Sequence, residues 1–432
     1  MSVAELQNSA FSASVAKALA LTRIQSKTLR VAVDNGNQAQ TIALTEWFLT
    51  ALEPRLYFAV QVARSGKVKP SPTPDECLSV AQALDLRQAP SEKVIGTLRA
   101  KASGKHRLIL NFGHAHRTAQ GVLRVILSAH HRPQPFQFTH RGPKKAMEQV
   151  RRHIEAGNLW FAHLDIKEFY PSFRFEKLGQ DAALGGILPS KTLAGFVHAR
   201  NLEVAVTPVS LKRFPYLTHT HLHWEARRGI PTGSCVSSVV APMMVSRLPL
   251  SQAAKELLTN YEDDFLQLAT SKAELDKAVE AFMVAVRDVP GGRFTVKTKS
   301  TGCLLESEIS FLGHRITVCD DQARIGINSA NEQKLFMLLD DFDIRKGEFA
   351  LRAGSSETKQ RRRNCQRVVD YLDAWARAFS LCGPEVEEIK AMGMYAVEQE
   401  LHALGLSINS LGKTTGNGDF TIAAHINSSE LR

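Results

Sequence analysis

Tyr261-Glu262-Asp263-Asp264 is an acidic run between two largely apolar segments, residues 257–260 and 265–268. This pattern is typical of a β-hairpin that buries its arms and carries charge at its turn. Adjacent carboxylates repel one another, and burying them is costly unless cations neutralise them. Hard divalent ions such as Mg²⁺ prefer oxygen ligands and keep phosphates in their remaining positions. A solvated acidic turn is the alternative interpretation of these residues taken alone.

A second acidic position favours metal binding. Asp165 lies at the end of an apolar, strand-like run, residues 159–166, and two aromatic residues and a proline follow it. Two carboxylates from separate strands of one antiparallel sheet would hold two ions about 3.5–4 Å apart. That spacing suits in-line displacement at phosphorus, with one ion activating a 3′-hydroxyl and both neutralising the developing charge.

Four motifs occur in one order along the chain: residues 164–173 around Asp165, Gly229-Ile230-Pro231-Thr232-Gly233, residues 261–264, and Phe311-Leu312-Gly313-His314. Their order, and the 98 positions from Asp165 to Asp263 (263 − 165), resemble the palm motifs of reverse transcriptases. The resemblance covers roughly residues 100–320. It implies an RNA-directed DNA polymerase, that is, a nucleotidyltransferase.

The resemblance also implies the fold class: α+β, a right-hand polymerase with fingers, a palm of antiparallel sheet plus helices, and a helical thumb. The predicted divisions are an N-terminal helical extension or part of the fingers at 1–95, fingers at 96–158, a palm at 159–322, a thumb at 323–410 and a flexible tail at 411–432.

The resemblance assigns the metal ligands residue by residue. Asp165 and Asp263 would be the main catalytic ligands, Asp264 the second acid of the pair, and the backbone carbonyl of Ile166 a further ligand. The expected cofactor is a pair of Mg²⁺ ions, with Mn²⁺ as the alternative.

The expected nucleotide-binding residues begin with Tyr170, which falls where the family places its steric gate. A bulky ring there would clash with a ribose 2′-hydroxyl and so favour deoxynucleotides. Phe169, beside it, is predicted to pack in the core. Lys105 and Arg107 resemble the basic fingers residues that grip the triphosphate, and a solvated basic loop is the alternative.

Thr232 and Gly233 are expected beneath the incoming nucleotide. Lys299 or Lys297 occupies the region where a lysine protonates departing pyrophosphate, and the sequence does not choose between them. Residues expected at the primer and template are Tyr261, Glu262, Gly313, Arg361 and Arg362. The last two belong to a basic helix predicted over 358–380, which suits a thumb that follows duplex backbone.

Thr232 also bears on the type of enzyme, because retroviral, retron and intron relatives generally carry Gln there. A Pro-Thr-Gly form is more similar to bacterial abortive-infection and defence-associated reverse transcriptases. Fewer than 120 residues follow the palm, and nothing resembles an RNase H, integrase or homing-endonuclease domain. The leading function is DNA synthesis in anti-phage defence. The alternatives are a retron-type enzyme copying its own structured RNA, and a catalytically silent RNA-binding scaffold in a defence complex.

Glu262 is acidic where the family usually has a small or apolar residue. A carboxylate there could repel phosphate, or accept hydrogen bonds from the amino group of cytosine or adenine. We therefore hypothesise that the enzyme makes DNA of restricted sequence, without a conventional template. The expected partners are template and primer RNA and DNA, dNTPs, and candidates for a noncoding RNA and a second defence protein. Homo- and hetero-oligomers both stay open.

The bulk composition agrees with a nucleic-acid partner. Lys plus Arg number 54 against 43 acids, a net charge of +11, which favours a polyanion or an anionic membrane surface. No run of about 18 apolar residues occurs, and the N-terminus does not resemble a secretory signal. The six cysteines are scattered without a Cys-x-x-Cys pair. A cytoplasmic protein with reduced thiols and no membrane partner is expected.

Histidines give a weaker signal. His219, His221 and His223 alternate, so on a strand they would share one face and could bind zinc. A half-exposed strand or a nucleic-acid contact is the favoured interpretation. His114 and His116 are expected to contact solvent or RNA.

Overall fold

The computed structural model describes residues 3–100, 105–198, 200–207, 211–212, 214, 216–320, 322–343 and 357–411, without the side chains of 3–9 and 340–343. The chain forms two compact units, each built from three segments. The first unit comprises Met1–Gln134, Ile166–Leu250 and Phe282–Val296. The second unit comprises Pro135–Asp165, Ser251–Ala281 and Lys297–Arg432.

The helices of eight residues or more are numbered in chain order. They are α1 Val3–Asp34, α2 Gln38–Thr50, α3 Leu52–Arg64, α4 Pro74–Ala83, α5 His114–His130, α6 Pro143–Glu155, α7 His219–Ala226, α8 Ser237–Val245, α9 Lys272–Arg287, α10 Ser329–Asp343, α11 Glu357–Ala378 and α12 Pro384–His402. Shorter helices are Phe175–Gly179, Ala182–Ile187, Ser190–Thr192, Leu193–Val197 and Gln252–Glu256, with 3₁₀ turns at Tyr170–Ser172 and Ile408–Ser410.

Among the described residues the strands form three sheets. They are β1 Val94–Ala100, β2 His106–Asn111, β3 Trp160–Ile166, β4 Val204–Val206, β5 Leu258–Tyr261, β6 Asp264–Ala269, β7 Val296–Cys303, β8 Ile309–Phe311, β9 His314–Cys319 and β10 Gln322–Ile327. The sheet orders are β2-β1-β4, β5-β6-β3-β7 and β10-β9-β8. Strands β3 and β5 pair antiparallel with β6. The predicted α+β fold class is confirmed.

Apolar clusters in the described part of the first unit include two that tie its helices and its sheet together. One packs Val15 of α1 against α3 and α4, and the other joins the β2-β1-β4 sheet to Leu222 of α7. The proline-rich segment before α4 ends at Thr73, whose hydroxyl accepts from the Glu76 amide while the Glu76 carboxylate accepts from the Thr73 amide. This capping box starts the helix where the prolines leave the chain extended.

The second unit has one larger core. It packs α6, the acid-bearing sheet and the small β8–β10 sheet against α11 and α12, around Trp375 and Phe379. The turn between β8 and β9 is Leu312-Gly313, and both residues have positive φ, 49° and 80°. Two positive φ values are the requirement of a two-residue type I′ hairpin, which explains the glycine of the fourth motif.

Two histidine predictions are wrong. Residues 219–226 form a helix rather than a strand, because the Thr218 hydroxyl accepts from the His221 amide and caps the helix N-terminus. His114 and His116 are buried rather than solvent-facing, and their ring nitrogens lie 2.9 and 3.1 Å from the carbonyls of Ala59 and Glu92.

Across the described residues, no helix combines the length and apolarity that crossing a membrane requires. Of the predicted tail, residues 412–432 lie outside the described part of the chain. The division into extension, fingers, palm and thumb stays a prediction.

Candidate active site

The acidic residues of the second unit meet on one sheet. Asp165 on β3 lies directly opposite Asp264 on β6, and both are buried, at 4% and 7% exposure. Tyr261 pairs with Asp264 across the β5–β6 hairpin, so Glu262 and Asp263 form its two-residue turn. Asp263 therefore lies half-exposed at the tip of the hairpin, immediately before Asp264 in the sequence.

Lys299 supplies the compensating charge. Its Nζ contacts Oδ1 of Asp264 and lies 3.5 Å from Oδ1 of Asp165. Lys297, two residues earlier on β7, is exposed. Of the two lysines that the sequence left open, Lys299 is therefore the one in contact with the acids.

His163 also contacts the acidic pair. Its Nε2 lies 3.2 Å from Oδ1 of Asp264, and its ring packs edge-on against Phe311 at 5.4 Å. Burial alone would raise the pKa of the Asp264 carboxyl, but the hydrogen bond to His163 and the positive charge of Lys299 outweigh burial and hold that pKa below its usual range. Asp264 is therefore an anion at neutral pH.

The hairpin turn has a strained backbone that hydrogen bonds with Thr139 and Asn260 hold in place. Glu262 has φ 56°, in the left-handed region that non-glycine residues seldom adopt. Its amide donates to the Thr139 hydroxyl at 2.9 Å. The Asn260 side-chain amide donates to the carbonyls of Glu262 (2.9 Å) and Asp264 (3.1 Å). These bonds fix the backbone that carries Asp263.

The acids fit a divalent cation. Asp165, Asp263 and Asp264 offer hard carboxylate oxygens, the donor type that Mg²⁺ prefers. One ammonium group, from Lys299, already stabilises the buried pair, so this place in the sheet is built for positive charge. These three carboxylates could hold the ion or ions.

Apart from Lys299, the residues predicted to bind the nucleotide lie in the first unit. Tyr170 is half-buried in a 3₁₀ turn, and its carbonyl accepts from the Ile230 amide at 3.1 Å. A Cβ on Gly229, which has φ 62°, would stand 1.9 Å from the same carbonyl oxygen. The glycine thus permits the close approach of the second motif to Tyr170. Phe169 packs against Phe173 and Phe294, as predicted.

The second motif also contacts strand β2. The Leu110 amide donates to the Thr232 carbonyl at 2.9 Å, and a Cβ on Gly233 would stand 2.3 Å from the Leu110 carbonyl. Strand β2 carries Arg107, which is half-exposed. Lys105, the residue before the start of this strand, is exposed. Thr232 and the strand that bears Arg107 are therefore joined by backbone contacts.

Four residues predicted at the primer and template contact the chain itself. Tyr261 is a core residue at 4% exposure, and burial, then the Glu262 charge, raises the pKa of its phenol. The Gly313 carbonyl accepts from the Asn331 side chain at 3.1 Å. Arg361 pairs with Glu400 at 2.5 Å, and Arg362 donates to the Ser410 carbonyl.

Three residues that support the acidic site were not identified from the sequence motifs. His163 precedes Asp165 by two positions, so strand alternation places both on one face of the sheet. That spacing was a usable signal. Asn260 and Thr139 carry no such signal, because their roles depend on the pairing of the segment at Gln137 with β5 at Asn260.

The sequence model of one family, described as "Reverse transcriptase (RNA-dependent DNA polymerase)", matches residues 99–316, just over half of the 432-residue chain. The chain belongs to the reverse transcriptase family. The matched region of this reverse transcriptase contains the three acids, Lys299 and Tyr170, whereas Arg361 and Arg362 lie beyond it. The family generally uses divalent metal ions.

Solved structures resemble this reverse transcriptase chain only distantly. The "Sicinivirus 3Dpol RNA dependent RNA polymerase" is 12% identical, with a TM-score of 0.35 over 74% of this chain and 65% of that one. A telomerase from Candida albicans with a TWJ fragment of telomeric RNA is 11% identical (0.32; 80% and 68%), and apo telomerase from Candida tropicalis is 14% identical (0.34; 78% and 68%). The chain thus spans less than two thirds of the viral polymerase. No curated protein sequence matches it.

Proposed function

We propose that this chain is an RNA-directed DNA polymerase that extends a primer with dNTPs. The observation that carries the proposal is the buried cross-strand pair Asp165–Asp264, with Asp263 next to it at the hairpin tip. Buried acids on adjacent strands cost free energy unless a cation is part of the site. Family membership supplies the reaction class.

In the proposed reaction, the primer 3′-oxygen forms a bond to the α-phosphorus of a dNTP, and the bond from that phosphorus to pyrophosphate breaks. Asp165, Asp263 and Asp264, with the Ile166 carbonyl, are the proposed ligands of two Mg²⁺ ions. When bound, these ions would lower the pKa of the 3′-hydroxyl and neutralise phosphate charge. Lys299 is the proposed proton donor to pyrophosphate, and Lys105 and Arg107 are the proposed contacts of the triphosphate.

The test is incorporation of labelled dNTPs on a primed RNA template with Mg²⁺. Asp165→Asn and Asp263→Asn should each lower the rate on the order of 10³-fold, since each loses several kcal/mol of transition-state stabilisation. Asp276→Asn, an exposed acid on α9, is the matched control and should keep full activity. Unchanged incorporation by Asp263→Asn would instead favour the catalytically silent scaffold.

Restricted templating is the second part of the proposal, and it rests on Glu262. A half-exposed carboxylate at the hairpin tip is an acceptor suited to the amino groups of cytosine or adenine. Products made from all four dNTPs should be biased in sequence, and Glu262→Ala should change that bias while incorporation persists. Faithful mixed-sequence copies of any supplied RNA, from both proteins, would refute this part.

The biological setting proposed from the Pro231-Thr232-Gly233 motif is bacterial anti-phage defence in the cytoplasm, with a noncoding RNA and a second defence protein as partners. Cells that express the chain with its neighbouring genes should restrict phage plaques, and Asp165→Asn should abolish restriction. Sequencing of the RNA and DNA that co-purify with the protein tests the partners. A co-purifying structured RNA copied into DNA would favour the retron-type alternative.

A further inference from the structure

Two histidines and a glutamate converge in the first unit. His106 lies on β2, whereas His221 and Glu225 are four residues apart on α7 and so share one helix face. The His106 Nε2 is 2.8 Å from Oε2 of Glu225, and the His221 Nε2 is 3.9 Å from the same oxygen. One ligand atom from each of the three residues lies within 4.8 Å of the others.

The spacing suits one small transition-metal ion. Zn²⁺ at about 2.0–2.1 Å from each ligand places tetrahedral neighbours roughly 3.3–3.5 Å apart. The two measured distances, 2.8 and 3.9 Å, lie on either side of that value. Since all three ligand atoms already lie within 4.8 Å of one another, side-chain rotations would bring them to metal-ligand spacing.

A hydrogen-bonded pair explains only part of this geometry. His106 and Glu225 satisfy each other, at 15% and 23% side-chain exposure, without any need for His221. Yet His221 directs its Nε2 to the same carboxylate oxygen although half of its side chain is exposed. The aromatic rings of Phe214 and Tyr216 lie 6.0 and 6.2 Å from the His106 ring.

We infer that His106, His221 and Glu225 form a binding site for Zn²⁺ or a similar borderline divalent ion. Imidazole ligands select such ions over Mg²⁺, which prefers oxygen. Three protein ligands leave a fourth position for water. All three ligands belong to the first unit, and zinc binding by them does not depend on the proposed polymerase activity.

Its structural effect would be to fasten α7 to the strand that carries Arg107. Successive side chains of a strand point to opposite faces, so His106 faces away from its neighbour Arg107. A metal on the His106 face holds the strand without occupying the basic face. This effect rests on the proposed function, in which Arg107 contacts the triphosphate: loss of the metal should raise the KM for dNTP more than it lowers kcat.

The test uses the full-length chain without a polyhistidine tag, stripped of metal and then titrated with ZnCl₂ in millimolar MgCl₂. The excess Mg²⁺ competes with zinc for carboxylate oxygens elsewhere in the chain. Bound zinc is counted by elemental analysis and its affinity measured by calorimetry. Co²⁺ in place of zinc reports four-coordinate imidazole ligation through its visible absorption.

Wild type should retain one zinc that His221→Ala and Glu225→Gln lose or bind at least about 100-fold more weakly, as expected for the loss of one of three ligands. His219→Ala, an exposed histidine of the same helix, is the matched control and should bind like wild type. Thermal unfolding of each variant without zinc shows whether it is folded. Equal zinc binding by wild type and His221→Ala, or no zinc retained by wild type, would overturn the proposal whatever the polymerase assay shows.

Discussion

Asp165 and Asp264 face each other across two antiparallel strands, and the ammonium of one lysine, Lys299, reaches both carboxylates. Two buried anions this close would repel each other strongly without a counter-charge. The lysine thus stabilises the protein in the position where a bound cation would also be stabilised, so lysine and cation should compete or share the acids.

Lys299→Met should destabilise the metal-free protein by on the order of 3 kcal/mol, because it leaves buried carboxylates uncompensated. Mg²⁺ should then raise the unfolding temperature of the variant more than that of wild type. Differential scanning fluorimetry with EDTA and with MgCl₂ measures both effects.

Lys297→Met is the control for this experiment, since Lys297 is exposed on the same strand. It should behave like wild type in both buffers. Equal Mg²⁺-induced shifts in wild type and Lys299→Met would show that the lysine does not neutralise the acids.

Tyr170→Ala should admit ribonucleotides. If the ring excludes a 2′-hydroxyl, its removal should raise the efficiency of rNTP relative to dNTP incorporation roughly 10–100-fold. Tyr170→Phe keeps the ring and should keep discrimination. Single-nucleotide extension with each triphosphate gives the ratio of kcat/KM values. An unchanged ratio in Tyr170→Ala would show that Tyr170 is not the steric gate.

Gly229→Ala should be strongly destabilising. The new methyl would stand 1.9 Å from the Tyr170 carbonyl oxygen at a φ of 62°, so the backbone must shift, at more than about 3 kcal/mol. Gly36→Ala shares a positive φ of 66° but meets nothing within 4 Å, and should cost only about 1 kcal/mol. Urea unfolding compares them, and similar losses in the two variants would contradict the close approach at Tyr170.

His314 should make stability depend on pH. It is fully buried, and burial lowers its pKa to about 4, while its Nδ1 bonds the Leu312 carbonyl. The histidine of the unfolded chain has a pKa near 6.5, so between pH 6.5 and 4 it binds a proton that the folded chain does not bind. The neutral ring's contribution, up to about 3 kcal/mol, is therefore complete above pH 6.5 and is lost as pH falls towards 4.

The measurement is the unfolding temperature at pH 7.5 and pH 5. Wild type should lose stability at pH 5, and His314→Asn should lose less. Buried His198, whose pKa burial also lowers to about 4, should account for part of the remaining loss. An identical loss in wild type and His314→Asn would rule out titration of His314.

Much of the acidic site could be predicted from sequence. Two apolar arms and a short acidic tip identify the hairpin, and the fourth motif follows from the φ requirements of a two-residue turn. The sequence pattern did not show that Asp264, rather than Asp263, lies opposite Asp165, because a one-residue change of register exchanges the faces of the strand. Register depends on long-range pairing.

Long-range contacts also explain the histidine errors. The alternation of His219, His221 and His223 favoured a strand. The Thr218 cap and the burial of Leu222 in the core both favour a helix instead. The partner of His221 across the fold, His106, is 115 positions away (221 − 106), beyond the reach of any local pattern. Arg361 likewise meets Glu400 only after two helices have packed.

The two compact units have a consequence for how the chain is made. Because each is assembled from three separated segments, the first unit lacks its last piece until residue 296 has left the ribosome. Neither unit can be cloned as one uninterrupted stretch. One boundary between the units falls at the peptide bond between Asp165 and Ile166. An insertion at that bond would separate the buried Asp165 from the next segment of the chain, which belongs to the first unit.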